Sequence, residues 1–202
     1  MSLNKSKKPS KIICITGGIG SGKTTVANML AKFGIPIYFA DDEAKKLTAT
    51  SPEIRADLIE LLGEETFKSG VLDRKYMAEK IFNDKELLEK TNAIIHPRVA
   101  QHFQNWAASQ TAPYVLKEAA ILFESGSYKQ CEKTILVTAP EEIRIQRVMA
   151  RDGASEAEVR SRMKNQWEDS KKAEMADFVI ENTSLEQVQK TIETLHFQLL
   201  QL

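Results

Sequence analysis

The run Gly17-Gly18-Ile19-Gly20-Ser21-Gly22-Lys23-Thr24 fits G-x-x-x-x-G-K-[ST] at each fixed position. Those residue types at that spacing bind a triphosphate. Glycines let the backbone curl until several N–H groups face one anion. A helix N-terminus at the same place adds partial positive charge. Lys23 is suited to bridge the β- and γ-phosphates, and the Thr24 hydroxyl to ligate Mg²⁺. The alternative is a Gly-rich strand-to-helix turn that binds nothing. A turn alone, however, has no need of Lys-Thr directly after its last glycine. The nucleotide-binding residues expected are Gly18, Ile19, Gly20, Ser21, Gly22, Lys23, Thr24 and Thr25.

A phosphate loop needs a strand before it and a helix after it. Ile12 to Thr16 is the apolar run of a short strand, with Cys14 read as a buried thiol. Val26, Met29, Leu30 and Phe33 recur at helical spacing, and Gly34 ends that helix. Further strands are expected at 35–40, 114–118, 134–138 and 178–181. Between 44 and 110 the pattern is helical throughout. It has helices after Pro52, after Asp73, around Leu87 to Ile95, and a fourth opened by Pro97. Phe82, Phe103 and Trp106 are read as core of that stretch. A helix follows over 141–150. Ser155 with Glu158 and Ser184 with Gln187 form candidate capping boxes. Strands alternating with helices imply an α/β fold, a five-stranded parallel sheet covered on both faces in three α/β/α layers.

The whole composition bounds the class. The 202 residues suit one domain, and 28 basic residues cancel 28 acidic ones. Zero net charge argues against coating nucleic acid, which needs a basic field, but permits a local anion pocket. Two cysteines, Cys14 and Cys131, do not suggest a disulfide framework. No 18-residue apolar run suggests a membrane span. No signal-peptide pattern follows the N-terminal lysines, and no Cys/His spacing suggests zinc. Cytoplasmic location is expected. Residues 1–10 read as a flexible lead-in. One domain is expected over 11–202: a core at about 11–43, 111–140 and 175–202, a helical insertion at about 44–110, and a lid at about 141–170.

The loop serves GTPases, motors and small-molecule kinases alike. A guanine-reading N-K-x-D is absent, since Asn4-Lys5 is the sole Asn-Lys pair, and D-x-x-G does not occur. The length leaves little room for a motor's arm. A small-molecule kinase is the class that remains, with a non-enzymatic nucleotide-binding module as the alternative. The chain also resembles the dephospho-CoA kinase family from about residue 12 to 190. The resemblance rests on Ile15 to Ala27, on Ala40-Asp41, on His96-Pro97 and on Ile121-Leu122-Phe123-Glu124. In the last third it rests on Gln146-Arg147, Arg151-Asp152-Gly153, Gln166 and Ala176-Asp177 through Asn182. Two departures stand out. Phe39 occupies the first Asp of the family's Asp-Ala-Asp, and Ala120 occupies a proline position.

The resemblance implies a P-loop kinase fold with a helical acceptor-binding insertion and a helical lid. The implied reaction moves the ATP γ-phosphoryl group to the ribose 3′-hydroxyl of dephospho-CoA, the final step of coenzyme A synthesis. ATP and Mg²⁺ are then required. The partners expected are these small molecules, with no nucleic acid and no membrane, the chain acting as a monomer or weak homo-oligomer. The acceptor hydroxyl needs a carboxylate to take its proton. Asp41 is the candidate, with Asp42 a neighbour and helix capping the competing use. Glu118, at a strand end, could hold Mg²⁺ through water or orient Asp41. Five of the eight arginines fall between 144 and 162. Arg147 and Arg151 share a helix face and are the expected phosphate contacts, Arg151 catalytic with Lys23 and Asp41, and Arg144 is expected at the surface. A salt-bridged helix pair is the competing reading of this stretch. Asn182 resembles an adenine-pocket position, and His96 and Arg98 fall in the acceptor-binding segment.

Overall fold

The computed structural model describes residues 9–82 and 84–202. The lead-in expected at the N-terminus thus lies, up to residue 8, outside the described residues. The elements run β1 (Lys11–Thr16), α1 (Lys23–Ala31), β2 (Ile37–Phe39), α2 (Ala40–Thr50), α3 (Pro52–Leu62), β3 (Phe67–Lys68), β4 (Val71–Leu72) and α4 (Arg74–Phe82). They continue with α5 (Lys85–Ser109), β5 (Tyr114–Glu118), β6 (Lys133–Thr138), α6 (Glu141–Asp152), α7 (Glu156–Met163), α8 (Asp169–Ala173), β7 (Phe178–Glu181) and α9 (Leu185–Leu200). The chain divides into two compact units. One is Met1–Phe39 with Ala107–Leu202, the other Ala40–Trp106.

The first unit is built on a five-stranded sheet in the order β2-β5-β1-β6-β7. Every pairing in it is parallel. Such a sheet must bury both faces. On one face Ile13 and Ile15 pack with Val26 and Leu30 of α1 and with Val188, Ile192, Leu195 and Leu199 of α9. Cys14 points to the opposite face between them and is equally buried. β1 is central, and the connection leaving it runs to β2 on one side, whereas the connection leaving the adjacent β6 runs to β7 on the other. Ligands of open α/β sheets bind at that switch, outside the strands' carboxyl ends. The loop following β1 emerges there.

The cysteine reading needs correction. Cys14 and Cys131 form a disulfide, with Cα atoms 5.7 Å apart at a sequence separation of 117. Composition gave no warning because the pairing is set by fold. Glu132 donates its N–H to the Ile12 carbonyl (2.8 Å), which brings the start of β6 alongside β1.

The second unit is mainly helical. Ser51 caps α3 by accepting the Ile54 N–H (3.3 Å), with Pro52 in the first turn. Asp73 accepts from Tyr76 (3.0 Å) at the start of α4. Three expectations fail here. First, the stretch is not all helical, because β3 and β4 form a small antiparallel hairpin. Its two-residue turn, Ser69-Gly70, has positive φ at both positions (48° and 83°). Second, Pro97 does not open a helix but lies inside α5. Thr91, Ile95, Val99 and Phe103 recur every fourth residue as one buried stripe across it. The proline deprives the Ala93 carbonyl of its N–H partner. Ala93 is exposed, so water can take that place. Third, Phe82 is no core residue, being 84% exposed, whereas Phe103 is fully buried.

Candidate active site

The phosphate loop turns on Gly20 and Gly22, with φ of 80° and 85°. A side chain at either would be strained by backbone conformation and by space. A Cβ on Gly22 would lie 2.1 Å from Asn182 Nδ2, and one on Gly20 2.4 Å from the Arg144 carbonyl oxygen. Gly22 is the residue before α1. The first N–H groups of that helix lack intrahelical partners and face outward as an anion site. Thr24 and Thr25 are exposed in this first turn.

Lys23 Nζ lies 3.5 Å from Glu118 Oε1, and the carboxylate is only 7% exposed. Register explains the meeting. Glu118 ends β5, where it pairs with Ile15 of β1 and Phe39 of β2. The loop leaves β1 one residue later. The carboxylate therefore sits where Lys23 starts its helix. Lys117, one residue back, is also buried, and burial pushes its pKa below the ordinary lysine value.

Asn182 is buried and braces the loop from below. Its Nδ2 donates to the Ser21 carbonyl (2.9 Å), and its own carbonyl accepts from Arg147 Nη2 (2.9 Å). Arg147 Nη1 is buried and makes no hydrogen bond among the described residues. That nitrogen lies beside the loop, 3.9 Å from where a Cβ on Gly22 would stand.

The arginine stretch divides by geometry. Arg151 is exposed, and its fork is placed on Asp152 (2.7 and 3.0 Å). That pairing holds the Asp152 carboxyl below its usual range. Arg160 pairs with Glu141, Glu142 and Glu156, and Arg162 with Asp152. For these residues the salt-bridged helix pair is what forms. Arg144 corrects the surface expectation. It is buried, donating from Nε to the Ile19 carbonyl (2.9 Å) and from Nη1 to Asp169 (2.9 Å). The missed signal was its place on the same helix stripe as the buried Ile145 and Val148. Asp169 carried no local signal.

In the helical unit, Asp41 and Asp42 lie in the first turn of α2 rather than before it. Asp42 pairs with Lys45 (3.0 Å). Asp41 is exposed and has no such partner among the described residues. A cavity of about 310 Å³ opens between α2, β4, α4 and α5, lined by Lys45, Thr48, Arg74, Met77, Asn92 and His96 among others. His96 thus lies in the cavity wall, within α5. Arg98 does not. It is held by Asp57 (2.5 Å) and by the Ile94 carbonyl (2.9 Å). Lys45, Arg74 and Asn92 carried no motif. Their convergence on one cavity depends on the packing of three helices.

The sequence profile of the dephospho-CoA kinase family matches residues 11–187. A dephospho-CoA kinase of Porphyromonas gingivalis is 42% identical over 187 residues, 90% of this chain and 93% of the relative. One from Bacteroides fragilis is 42% identical over 171 residues, 84% of this chain and 83% of the relative. A solved structure from Thermus thermophilus superposes with a TM-score of 0.86 at 35% identity, covering 95% of this chain and 98% of that one.

Proposed function

The chain belongs to the dephospho-CoA kinase family, and on that premise we propose how its residues move the γ-phosphoryl group of ATP to the 3′-hydroxyl of dephospho-CoA. The carrying observation is the phosphate loop on central β1, its Lys23 held in place by Glu118. ATP lays its phosphates on the loop and the α1 N-terminus. Lys23 leaves Glu118 for the β- and γ-oxygens, so one cation serves two partners in turn. Arg147 supplies its unpartnered Nη1 to the nucleotide, and Asn182 keeps the floor of the site. Arg151 joins by exchanging Asp152 for the γ-phosphate.

The acceptor oxygen forms its bond to the γ-phosphorus while the bond to the β,γ-bridging oxygen breaks. The hydroxyl proton passes to Asp41, and the electron pair leaves on ADP. Asp41 is favoured over Asp42 because Asp42 is engaged by Lys45. Catalysis of this kind is mostly positioning and charge neutralisation. The dephospho-CoA binds at the helical unit's cavity, where His96, Arg74 and Lys45 suit its phosphates and Met77 its apolar arm. Arg98 supports that wall through Asp57.

Mg²⁺ fits the donors present. Among the described residues no cluster of three or more His, Cys, Asp or Glu could hold a metal. Mg²⁺ in kinases keeps waters and substrate oxygens, so few protein ligands are needed. The Thr24 hydroxyl would ligate it directly, and Glu118 through water once Lys23 has moved. When bound it neutralises charge on the β- and γ-oxygens. We also propose cytoplasmic action as a monomer or weak homo-oligomer. Among the described residues no helix is long and apolar enough to cross a membrane. An assay of acceptors tests the whole reading. Dephospho-CoA should be phosphorylated far faster than nucleoside monophosphates or sugars, and a preference for one of those would overturn it.

A further inference from the structure

Ile19 sits at the crest of the phosphate loop, and its contacts lie outside it. Its N–H donates to Gln166 Oε1 (2.8 Å), and its carbonyl accepts from Arg144 Nε (2.9 Å). Its side chain packs on the cluster Ile145, Val148 and Val159 between α6 and α7. The loop is shaped around this grip. A Cβ on Gly18 would come within 2.2 Å of Arg144 Nη2.

The grip is itself fastened. Arg144 Nη1 donates to Asp169 Oδ2 (2.9 Å), and the pair is largely buried. Asp169 opens α8. Lys172, fully buried in the same helix, pairs with Glu124 (3.1 Å). Glu124 also accepts the Trp167 N–H (3.0 Å). Residues 166–172 therefore form a strap. One end holds the loop's crest, and the other is tied to the segment that follows β5.

A glycine-rich loop has many backbone states, and a nucleotide that must select one binds more weakly. Fixing both main-chain polar atoms of one crest residue removes much of that freedom beforehand. Arg144 spends two nitrogens and its charge on Ile19 and Asp169, so it does not serve as a phosphate cation. We propose that Arg144, Gln166 and Asp169 are positioning residues of the phosphoryl transfer, presetting the phosphate loop through Ile19. The proposal rests on the loop binding ATP and not on the identity of the acceptor.

The test compares Gln166→Met, which keeps length but loses the acceptor oxygen, with Gln166→Glu, which keeps an acceptor for the Ile19 N–H. ATP binding is titrated without acceptor, KM for each substrate is measured with dephospho-CoA, and thermal midpoints are recorded. Gln166→Met should weaken ATP binding about 5-fold, the loss of one hydrogen bond. KM for dephospho-CoA should stay put, and Gln166→Glu should bind ATP within about 2-fold of the parent chain. The Ile19 amide should exchange faster in the Met variant alone. If Gln166→Met does not fold, Arg144→Lys replaces it, since lysine keeps the charge but cannot hold Ile19 and Asp169 together. It should weaken ATP about 10-fold. Unchanged ATP affinity in a folded variant, or a Glu variant as weak as Met, overturns the proposal. A parent chain that binds ATP but makes no CoA overturns the acceptor reading alone. One that binds no ATP overturns both.

Discussion

Replacing Lys23 by Ala separates two roles of one ammonium group. In the structure Lys23 neutralises Glu118 at 3.5 Å, with side chains 17% and 7% exposed. At an effective dielectric near 20, that spacing corresponds to about 5 kcal/mol of attraction before desolvation. Removing one partner of a buried pair leaves the other charge in a poor environment. After screening through the part-exposed lysine, the expected loss of stability is about 2–4 kcal/mol. The double variant Lys23→Ala with Glu118→Gln removes the remaining charge and should recover most of it. Activity should behave differently. Both variants lack the cation for the transferring phosphoryl group, so both should lose roughly 10²-fold or more in rate. The assays are denaturant unfolding and initial rates of CoA formation. Equal stability of the single and double variants would refute the structural half of the reasoning. A double variant that regains the parent rate would refute the catalytic half.

Other substitutions probe separate links. Asp41→Asn should keep ATP affinity and lose about 10²–10⁴-fold in turnover, read by titration beside steady-state rates, while Asp42→Asn should change the rate little. His196 is buried, stacked on Phe33 and bonded through Nδ1 to the Tyr114 hydroxyl (2.8 Å), and burial lowers its pKa from 6.5. The unfolded chain then binds the proton first, so stability should fall as pH drops below 6.5 and level off beneath the native pKa; His196→Asn should flatten that part of the unfolding profile. Under oxidising conditions the Cys14–Cys131 bond closes a loop of 117 residues, a constraint of about 4–5 kcal/mol on chain entropy alone. Dithiothreitol should lower the thermal midpoint of the parent chain and leave that of Cys131→Ser unmoved.

What could be read in the sequence was local. Gly20 and Gly22 announce the turn after β1, because each takes a positive φ that other residues rarely adopt. The caps Ser155 and Ser184 mark helix starts because their bonds reach only three residues ahead. What was hidden depends on distant packing. The continuity of α5 through Pro97 comes from a buried stripe that outweighs one missing hydrogen bond. The hairpin β3–β4 has two-residue strands, too short for alternation to show, and Ser69-Gly70 was its sole trace. Arg144 looked like any solvated arginine, since Ile19 and Asp169 lie 125 and 25 residues away. The pairing of Cys14 with Cys131 follows from β1 lying beside β6, which no spacing rule encodes.

The central claim is that this chain phosphorylates the 3′-hydroxyl of dephospho-CoA. Purified protein with ATP, Mg²⁺ and dephospho-CoA, followed by mass and by the position of the new phosphate, tests it directly. The expected result is CoA, one ADP formed for each, with the new phosphate on the 3′-oxygen. Folded, ATP-binding protein that yields no CoA, or a phosphate at another position, would contradict it.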